Sequence, residues 1–266
     1  MARFLVVPQW QGSPSTRPML QADGAEAIAG DLPRAACRTI DVPLEAGETL
    51  DTGIRRYSSL RRVQDAVAEA LADADAIVVG GDCGVAVPAV SDALARHPNA
   101  AVVWFDAHAD LHTAESSTSG AFAGMALRAA AGDGALGATH PVRLDRVVLA
   151  GTREFDPAES DLIAAEGITV ISVDADPDAF VEAVAATGAD AVYLHVDLDV
   201  LDPAEITGLS DPVPFGMTVP QLTAAITALR ARFPLAGASL AAFAPASPAA
   251  AVDDMGAILR IVGALA

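Results

Sequence analysis

Basic residues are scarce in this chain. Its 266 residues include 16 Lys and Arg against 35 Asp and Glu, which gives a formal net charge of −19. This excess of negative charge repels phosphate groups, so it argues against a nucleic acid or an anionic membrane as partner. It suits a cationic ligand, although an acidic surface made for solubility is the broader explanation.

Long hydrophobic runs and cysteines are also in short supply. No uncharged apolar stretch reaches the roughly 18 residues that a membrane-spanning helix needs. The first residues, MARFLVVPQW, contain one arginine and an apolar run that Pro8 interrupts, which is too short for a secretory signal. Two cysteines, Cys37 and Cys83, do not make a disulfide framework. These shortages predict a cytoplasmic protein.

Apolar residues make up 52% of the chain, enough for a large core. Short apolar runs alternate with amphipathic stretches, in which apolar residues recur at a spacing of three or four. The predicted strands are Arg3 to Val7, Arg38 to Val42, Ala76 to Gly80, Ala101 to Asp106, Arg146 to Ala150, Ile168 to Val173, Ala191 to Asp197 and Ala236 to Ala242. The alternation predicts an α/β fold of three αβα layers with a mostly parallel sheet of about eight strands. No low-complexity linker divides residues 1–266, so we expect a single domain.

Two groups of metal-ligand residues follow two of these strands. Their members are Asp106, His108 and Asp110 in one group and Asp197, Asp199 and Asp202 in the other. Residues two apart on a strand point to one face, so these side chains should converge. Buried carboxylates are costly unless they are paired or bind metal. Oxygen ligands and one imidazole suit a divalent cation such as Mn²⁺, and bridging carboxylates suit two. The alternative is that the acids cap helices or face solvent.

A third segment, Gly80-Gly81-Asp82-Cys83-Gly84, follows the third predicted strand. Paired glycines can form a phosphate loop, but no GK[ST] follows them here. Ligands of open α/β sheets bind at the carboxyl ends of the strands, where all three segments fall. The sequence therefore predicts one site at that edge.

In this order the three segments resemble the motifs GGDHS, DAHxD and SxDxDxxDP of the ureohydrolases, the family of arginases and agmatinases. The resemblance implies an arginase-like fold and hydrolysis of a guanidino group by water that two Mn²⁺ ions activate. It also implies the ligands, which are Cys83, Asp106, Asp110 and Asp197 for one ion and Asp106, His108, Asp197 and Asp199 for the other.

Three positions depart from the family pattern. Cys83 stands where the family has a metal-binding histidine. Ala123, in Ser119-Gly120-Ala121-Phe122-Ala123-Gly124, replaces a proton-shuttling histidine. Ala242 replaces a glutamate that pairs with the guanidinium. The resemblance leaves Asp110 and His112 as the candidate catalytic residues.

The segment Arg153 to Glu159 resembles the family sequence RDVDPGE, which recognises the head of an amino-acid substrate. By this resemblance Asp156 and Glu159 would hold the α-ammonium group, and Ser117, Ser119 and His112 would face the α-carboxylate. Asp156 and Glu159 also have the spacing of a helix N-terminus with a capping aspartate. Both roles are compatible.

These departures favour a substrate less basic than arginine. The cysteine, the absent histidine and the retained acids resemble the branch that hydrolyses Nω-hydroxy-L-arginine to hydroxyurea and L-ornithine in D-cycloserine biosynthesis. An ordinary arginase or agmatinase that moves protons through water or His112 is an alternative. A metal-binding pseudoenzyme is the other.

Two further expectations concern His195 and the oligomeric state. His195 lies on the same strand face as Asp197, where we expect a hydrogen-bonded residue beside the ligands; a ligand of a third metal is the alternative. The predicted last helix, Val252 to Leu265, runs to the end of the sequence without the tail through which some arginases form trimers. Its apolar stripe is sized for packing on the sheet, so we expect a monomer, with a weak dimer as the next possibility.

Overall fold

The computed structural model describes residues 2–72 and 75–266. In these ranges eight strands form one parallel sheet in the order β2-β1-β3-β8-β7-β4-β5-β6. The strands are β1 (Phe4–Val7), β2 (Cys37–Thr39), β3 (Ile77–Gly80), β4 (Ala100–Phe105), β5 (Val147–Ala150), β6 (Thr169–Ile171), β7 (Ala191–Asp197) and β8 (Leu235–Ala241). The predicted α/β class with a parallel sheet of about eight strands is confirmed.

Helices connect the strands and cover both faces of the sheet. They are α1 (Met19–Asp31), α2 (Tyr57–Ala72), α3 (Ala86–Arg96), α4 (Ala126–Ala130), α5 (Pro157–Glu166), α6 (Pro177–Ala186), α7 (Val219–Arg232) and α8 (Pro248–Leu265). One apolar cluster joins one face of the sheet to α2, α3 and α4, and the other joins the opposite face to α1, α6, α7 and α8. This is the αβα arrangement that strands buried on both faces require.

Strand alternation decides which cluster each side chain joins. On β4, Val102 and Trp104 enter the cluster with α2 and α3, whereas Val103 and Phe105 enter the opposite one. Asp106 comes next and continues the Trp104 face. The apolar strands therefore aim the acids that follow them to one side of the sheet edge.

The element boundaries differ slightly from the prediction. β2 lies within Cys37–Thr39 instead of extending to Val42. α8 begins at Pro248, because Ser247 caps it by accepting a hydrogen bond from the Ala250 N–H at 3.2 Å. The stripe of α8 is buried as expected except for Leu259, which is 36% exposed. Among the described residues no helix is long and apolar enough to cross a membrane.

A substitution at Gly81 would test how tightly the turn after β3 is packed. A Cβ at Gly81 would lie 1.9 Å from the carbonyl oxygen of Gln9, which is backbone and cannot rotate away. We expect Gly81→Ala to lower the free energy of unfolding by about 1–3 kcal/mol or more, since overpacking must move the chain. Gly256→Ala is the matched control, because nothing lies within 4 Å of its Cβ in the exposed part of α8. It should stabilise the protein by about 0.5–1 kcal/mol. Urea denaturation measures both, and an unchanged midpoint for Gly81→Ala would contradict the packing.

Candidate metal centre

The central strands bring the three predicted segments to one place. β7 lies between β4 and β8 in the sheet, and β8 lies next to β3. The six candidate metal ligands follow or end β3, β4 and β7, and all six line a single cavity of about 490 Å³: Cys83, Asp106, His108, Asp110, Asp197 and Asp199. The structure thus brings together all six ligands that the resemblance implied, whereas Asp202 does not line this cavity and accepts hydrogen bonds from the backbone N–H groups of Ala204, Phe215 and Gly216.

Asp106 and Asp199 are fixed by hydrogen bonds near the ends of their strands. Asp106 accepts from the His108 backbone N–H at 2.7 Å and from the indole N–H of Trp104 at 3.0 Å. Asp199 accepts from the Ala107 N–H at 3.0 Å, and its other oxygen lies 2.9 Å from His108 Nδ1. The carboxylates are therefore oriented before any ligand arrives.

Asp197 joins the β7 end to the turn after β3. It accepts from the Asp199 N–H at 2.8 Å, and the Cys83 thiol lies 2.8 Å from its other oxygen. Cys83 is 3% exposed and begins the short helix Cys83–Val85. The Cys83 thiol therefore faces the Asp197 carboxylate, while the residue also belongs to the apolar cluster that contains α2 and α3.

Burial and mutual repulsion oppose ionisation of this cluster. Burial raises the pKa of Asp106, and the charge of Asp199 raises it further. Burial is also the first cause of the raised pKa of Asp110 and of Asp197, and neighbouring aspartates add to both. The pKa of the Cys83 thiol is raised well above its usual range by burial and by Asp197. Without a cation, this cluster holds protons that isolated carboxylates would release.

His108 partly compensates this charge. Burial alone would lower its pKa, but Asp106 and Asp199 outweigh that effect and raise the pKa of His108 to about 12. Burial likewise opposes ionisation of Asp199, yet the hydrogen bond and charge of His108 lower the pKa of that carboxyl. One imidazolium can balance one carboxylate, which leaves the others uncompensated.

Asp110 shows most directly that a cation fits here. Its Oδ2 is buried and has no hydrogen-bond partner among the described residues. Its backbone lies in the left-handed region, with φ +53°, which is uncommon for a residue other than glycine and frequent at functional sites. Among the described residues, three groups of three donors have ligand atoms within 4.8 Å of one another: Asp106 with His108 and Asp199, Asp106 with Cys83 and His195, and His112 with Asp156 and Glu159. The first two groups share Asp106. The shared Asp106 suits two neighbouring cations.

The predicted substrate residues divide into two sets. His112, Asp156 and Glu159 line the same cavity as the metal donors. Ser117 and Ser119 do not line it: their hydroxyls, 3.4 Å apart, accept from the backbone N–H groups of Gly120 and Ala121. The structure therefore places the two serines in a turn beside the site.

Glu159 and Asp156 differ in how far their carboxylates are buried and in what those carboxylates contact. Glu159 is buried, and its oxygens accept from the backbone N–H groups of Leu111 and Asp156, each at 3.0 Å. Asp156 stands at the N-cap position of α5, and the predicted helix start is confirmed. Its side chain is 60% exposed and lies 2.9 Å from His112 Nε2. Asp156 can meet a ligand, whereas Glu159 holds the backbone around it.

Arg153 has a role that the sequence comparison did not suggest. Its guanidinium donates to the backbone carbonyls of Asp199 at 2.9 Å, Val213 at 2.7 Å and Gly151 at 3.0 Å. It thereby ties the metal-donor turn to the Pro-rich segment whose Asp211 lies 3.8 Å from His108 Nε2. Sequence reasoning missed Asp211, because its approach depends on these long-range contacts.

His195 differs from its prediction. We expected a fully hydrogen-bonded side chain, and this was wrong: Nδ1 lies 2.8 Å from the Ser239 hydroxyl, but Nε2 has no partner in the described part of the chain. Burial lowers the pKa of His195 to about 3, so the ring is neutral. In the sequence, the position of His195 two residues before Asp197 indicates that its side chain lies on the same face of the strand as the donors.

We expect the metal-free protein to lose stability as the pH rises from about 6.5 to about 8. Over this range the folded protein retains a proton on His108, whose pKa is raised to about 12, and up to about pH 7 it also retains much of the proton on Asp106, whose pKa is raised to about 7. The unfolded chain has ordinary values near 4 and 6.5 and has released them. The state that holds more protons is destabilised by rising pH, by about 1.4 kcal/mol per pH unit for each proton.

Melting temperatures in EDTA and in excess Mn²⁺ across this range measure the effect. Bound cations stabilise ionised carboxylates, so the metal-loaded protein should lose the slope or reverse it. Asp161→Asn, on the exposed side of α5, is a control that should leave the slope unchanged. Rising stability of the metal-free protein would contradict the assignment.

Comparison with known proteins identifies the family. The arginase family model matches residues 19–259. The arginase of Bacillus caldovelox is 32% identical over 200 residues, covering 67% of each chain. The N(omega)-hydroxy-L-arginine amidinohydrolase of Streptomyces lavendulae is 33% identical over 207 residues, covering 77% of this chain and 74% of that protein.

The fold agrees with this match. The crystal structure of Entamoeba histolytica arginase in complex with L-ornithine superposes with a TM-score of 0.85 at 22% identity, over 100% of this chain and 99% of that one. The resemblance inferred from the three motifs is confirmed. The chain belongs to the arginase family of metal-dependent hydrolases, which act on guanidino C–N bonds.

Proposed function

We propose that the protein is an amidinohydrolase with two Mn²⁺ ions that converts Nω-hydroxy-L-arginine and water to hydroxyurea and L-ornithine. The observation that carries the proposal is the Cys83 thiol, buried against Asp197 within the donor cluster. The Streptomyces lavendulae relative, which is named for this activity, supports the choice of substrate. The proposed cysteine ligand distinguishes this centre from one built on histidine and carboxylates alone.

The donor set fits two divalent cations. Cys83, Asp106, Asp110 and Asp197 would hold one, and Asp106, His108, Asp197 and Asp199 the other. Divalent cations held there would supply Lewis acidity and would lower the pKa of a bound water. The four aspartates and the Cys83 thiolate carry a total charge of −5, against +4 from two divalent ions. The metals would therefore be weaker Lewis acids here than in a centre with a histidine at position 83.

The cavity wall favours a guanidine of low basicity. Ala123 and Ala242 both line the cavity, and neither offers a carboxylate or an imidazole. At these two positions a protonated guanidinium would find no anionic partner. An N-hydroxyguanidine is less basic, so it can enter in its neutral form and contribute its own N–OH proton.

Asp156 is the proposed partner of the α-ammonium group. It lines the cavity, its side chain is 60% exposed, and its Oδ2 lies 2.9 Å from His112 Nε2, whereas both oxygens of the buried Glu159 accept from backbone N–H groups. Glu159 then positions Asp156 and Leu111, instead of binding the substrate itself. An amino acid would thus lie with its head at α5 and its side chain towards the donor cluster.

His112 is the proposed proton donor. Hydrolysis releases the δ-amine of ornithine, which takes up one proton as it leaves. His112 Nε2 lies 2.9 Å from Asp156, and Nδ1 lies 3.0 Å from the Ser116 hydroxyl. The His112 backbone N–H donates to the Gly124 carbonyl at 3.1 Å, a Cβ at Gly124 would lie 3.8 Å from the imidazole Cδ2, and both His112 and Ala123 line the cavity. It therefore occupies the neighbourhood of the missing shuttle histidine.

L-Arginine is the second candidate substrate, favoured by the Bacillus caldovelox arginase at 32% identity. It has the same amino-acid head, so Asp156 does not discriminate between the two compounds. The difference lies in the wall at Ala123 and Ala242.

A parallel assay tests the substrate. We expect the Mn²⁺-loaded protein to release hydroxyurea from Nω-hydroxy-L-arginine with a kcat/KM at least about tenfold above that for urea release from L-arginine, which corresponds to about 1.4 kcal/mol of transition-state stabilisation. Faster turnover of L-arginine would identify an ordinary arginase. Metal binding without turnover of either compound would refute the proposed reaction.

The same assay tests the head contact with two matched variants. Asp156→Asn should raise KM for the amino acid but not for its deaminated analogue, because only the former carries an α-ammonium group. Glu154→Gln removes an equal charge from the same cavity and should affect both compounds alike. Equal losses on both compounds for Asp156→Asn would show that Asp156 acts only as a helix cap.

A further inference from the structure

His195 is a buried polar side chain that the proposed reaction does not use. It is fully buried in the middle of β7. Trp104 on β4 and Ser239 on β8 are its register partners on either side. The ring stacks on Trp104 with a centroid separation of 3.8 Å, so its plane is fixed.

The two nitrogens of this ring have different surroundings. Nδ1 lies 2.8 Å from the Ser239 hydroxyl. Nε2 is buried without a hydrogen-bond partner among residues 2–72 and 75–266. Buried ring nitrogens in proteins are normally paired, and one that is not calls for an explanation such as an ion that occupies its free position.

The location of the ring supplies that explanation. A ring nitrogen of His195, a carboxylate oxygen of Asp106 and the Cys83 sulfur all lie within 4.8 Å of one another. Trp104, which stacks on the ring, also donates its indole N–H to Asp106. One aromatic side chain therefore orients both an imidazole and a carboxylate at the same end of the cluster.

We propose that His195 is a ligand, through Nε2, of the metal ion that Cys83 and Asp106 hold. This inference rests on the proposed metal centre and adds a donor to it. In this arrangement Nδ1–H donates to the Ser239 hydroxyl, which selects the tautomer with a free lone pair on Nε2. Ligating histidines usually donate their other ring N–H in this way.

Charge gives a reason for a second imidazole. The thiolate of Cys83 makes the donor set more negative than two divalent ions can balance. A neutral imidazole adds a donor without adding charge. Position 83 holds a cysteine and therefore contributes no imidazole to the centre. His195, on β7, would supply one instead.

The test counts imidazole ligands in the full-length protein. The protein, labelled with ¹⁵N-histidine, is stripped with a chelator and loaded with Zn²⁺, which is diamagnetic. The chain has five histidines. We expect Nε2 of His195 and one nitrogen of His108 to move to the chemical shift of metal-bound imidazole. A metal-bound signal from His108 alone would overturn the proposal, including the case in which His195 donates a hydrogen bond to the Cys83 sulfur.

Zn²⁺ affinity by chelator competition is the second readout. His195→Ser should weaken one of the two sites at least about tenfold, and Ser239→Ala should weaken the same site while keeping the ring. His140→Ser, at an exposed histidine, should change nothing. If His195→Ser does not fold, Ser239→Ala and the signal count decide the outcome. Absence of Zn²⁺ binding in the wild type would refute the metal centre itself, whereas tight binding with one imidazole would refute only the role of His195.

Discussion

The rest of the site depends on the repulsion between four buried aspartates. Asp106, Asp110, Asp197 and Asp199 meet at the carboxyl edge of β4 and β7, and each is at most 5% exposed. No arginine of the described ranges lines their cavity, and His108 can balance one of them. Protons or cations must supply the remaining positive charge. The raised pKa values of Asp106, Asp110 and Asp197 show that protons can supply it. The arginase family, to which the chain belongs, uses metal cations.

Much of the surrounding structure holds these groups against that repulsion. The buried carboxylate of Asp82 accepts from Gln9 Nε2 and the Gly12 N–H, each at 2.8 Å, and from the Gly84 N–H at 2.9 Å, which fixes the turn that carries Cys83. The Arg153 guanidinium fixes the turn that contains Asp199 by donating a hydrogen bond to the Asp199 backbone carbonyl. Apart from the Gln9 side chain, Asp82 and Arg153 contact backbone groups here, so they orient the donors without competing for the metal. The fold thus gives up favourable solvation of its acids and keeps them in place for a ligand.

The sequence was sufficient to predict features that depend on local patterns. Eight apolar runs predicted eight strands, because a strand buried on both faces must be apolar over its own length. The aspartate donors and His108 followed from their positions at the ends of those strands and from spacing that returns each side chain to one face, whereas Cys83 followed from the resemblance to the family. The start of α5 was readable from Asp156, Pro157 and Glu159, since capping is a matter of four adjacent residues.

Contacts between distant segments were not readable in the same way. The free nitrogen of His195 depends on the register of β4, β7 and β8, which places Trp104 and Ser239 beside it. The clamp of Arg153 depends on where the loop around Val213 lies. Ser117 and Ser119 matched the family by position, yet the turn that contains them folds on itself instead of lining the cavity. Each outcome is decided by packing across the fold.

The central claim is a two-metal centre in which Cys83 is a ligand. An anomalous-scattering map from crystals of the Mn²⁺-loaded protein tests it most directly. The account predicts two peaks about 3.5–4 Å apart, the separation usual for two-metal hydrolases, with the Cys83 sulfur bonded to one of them. A single peak, or a sulfur turned away from both peaks, would contradict it.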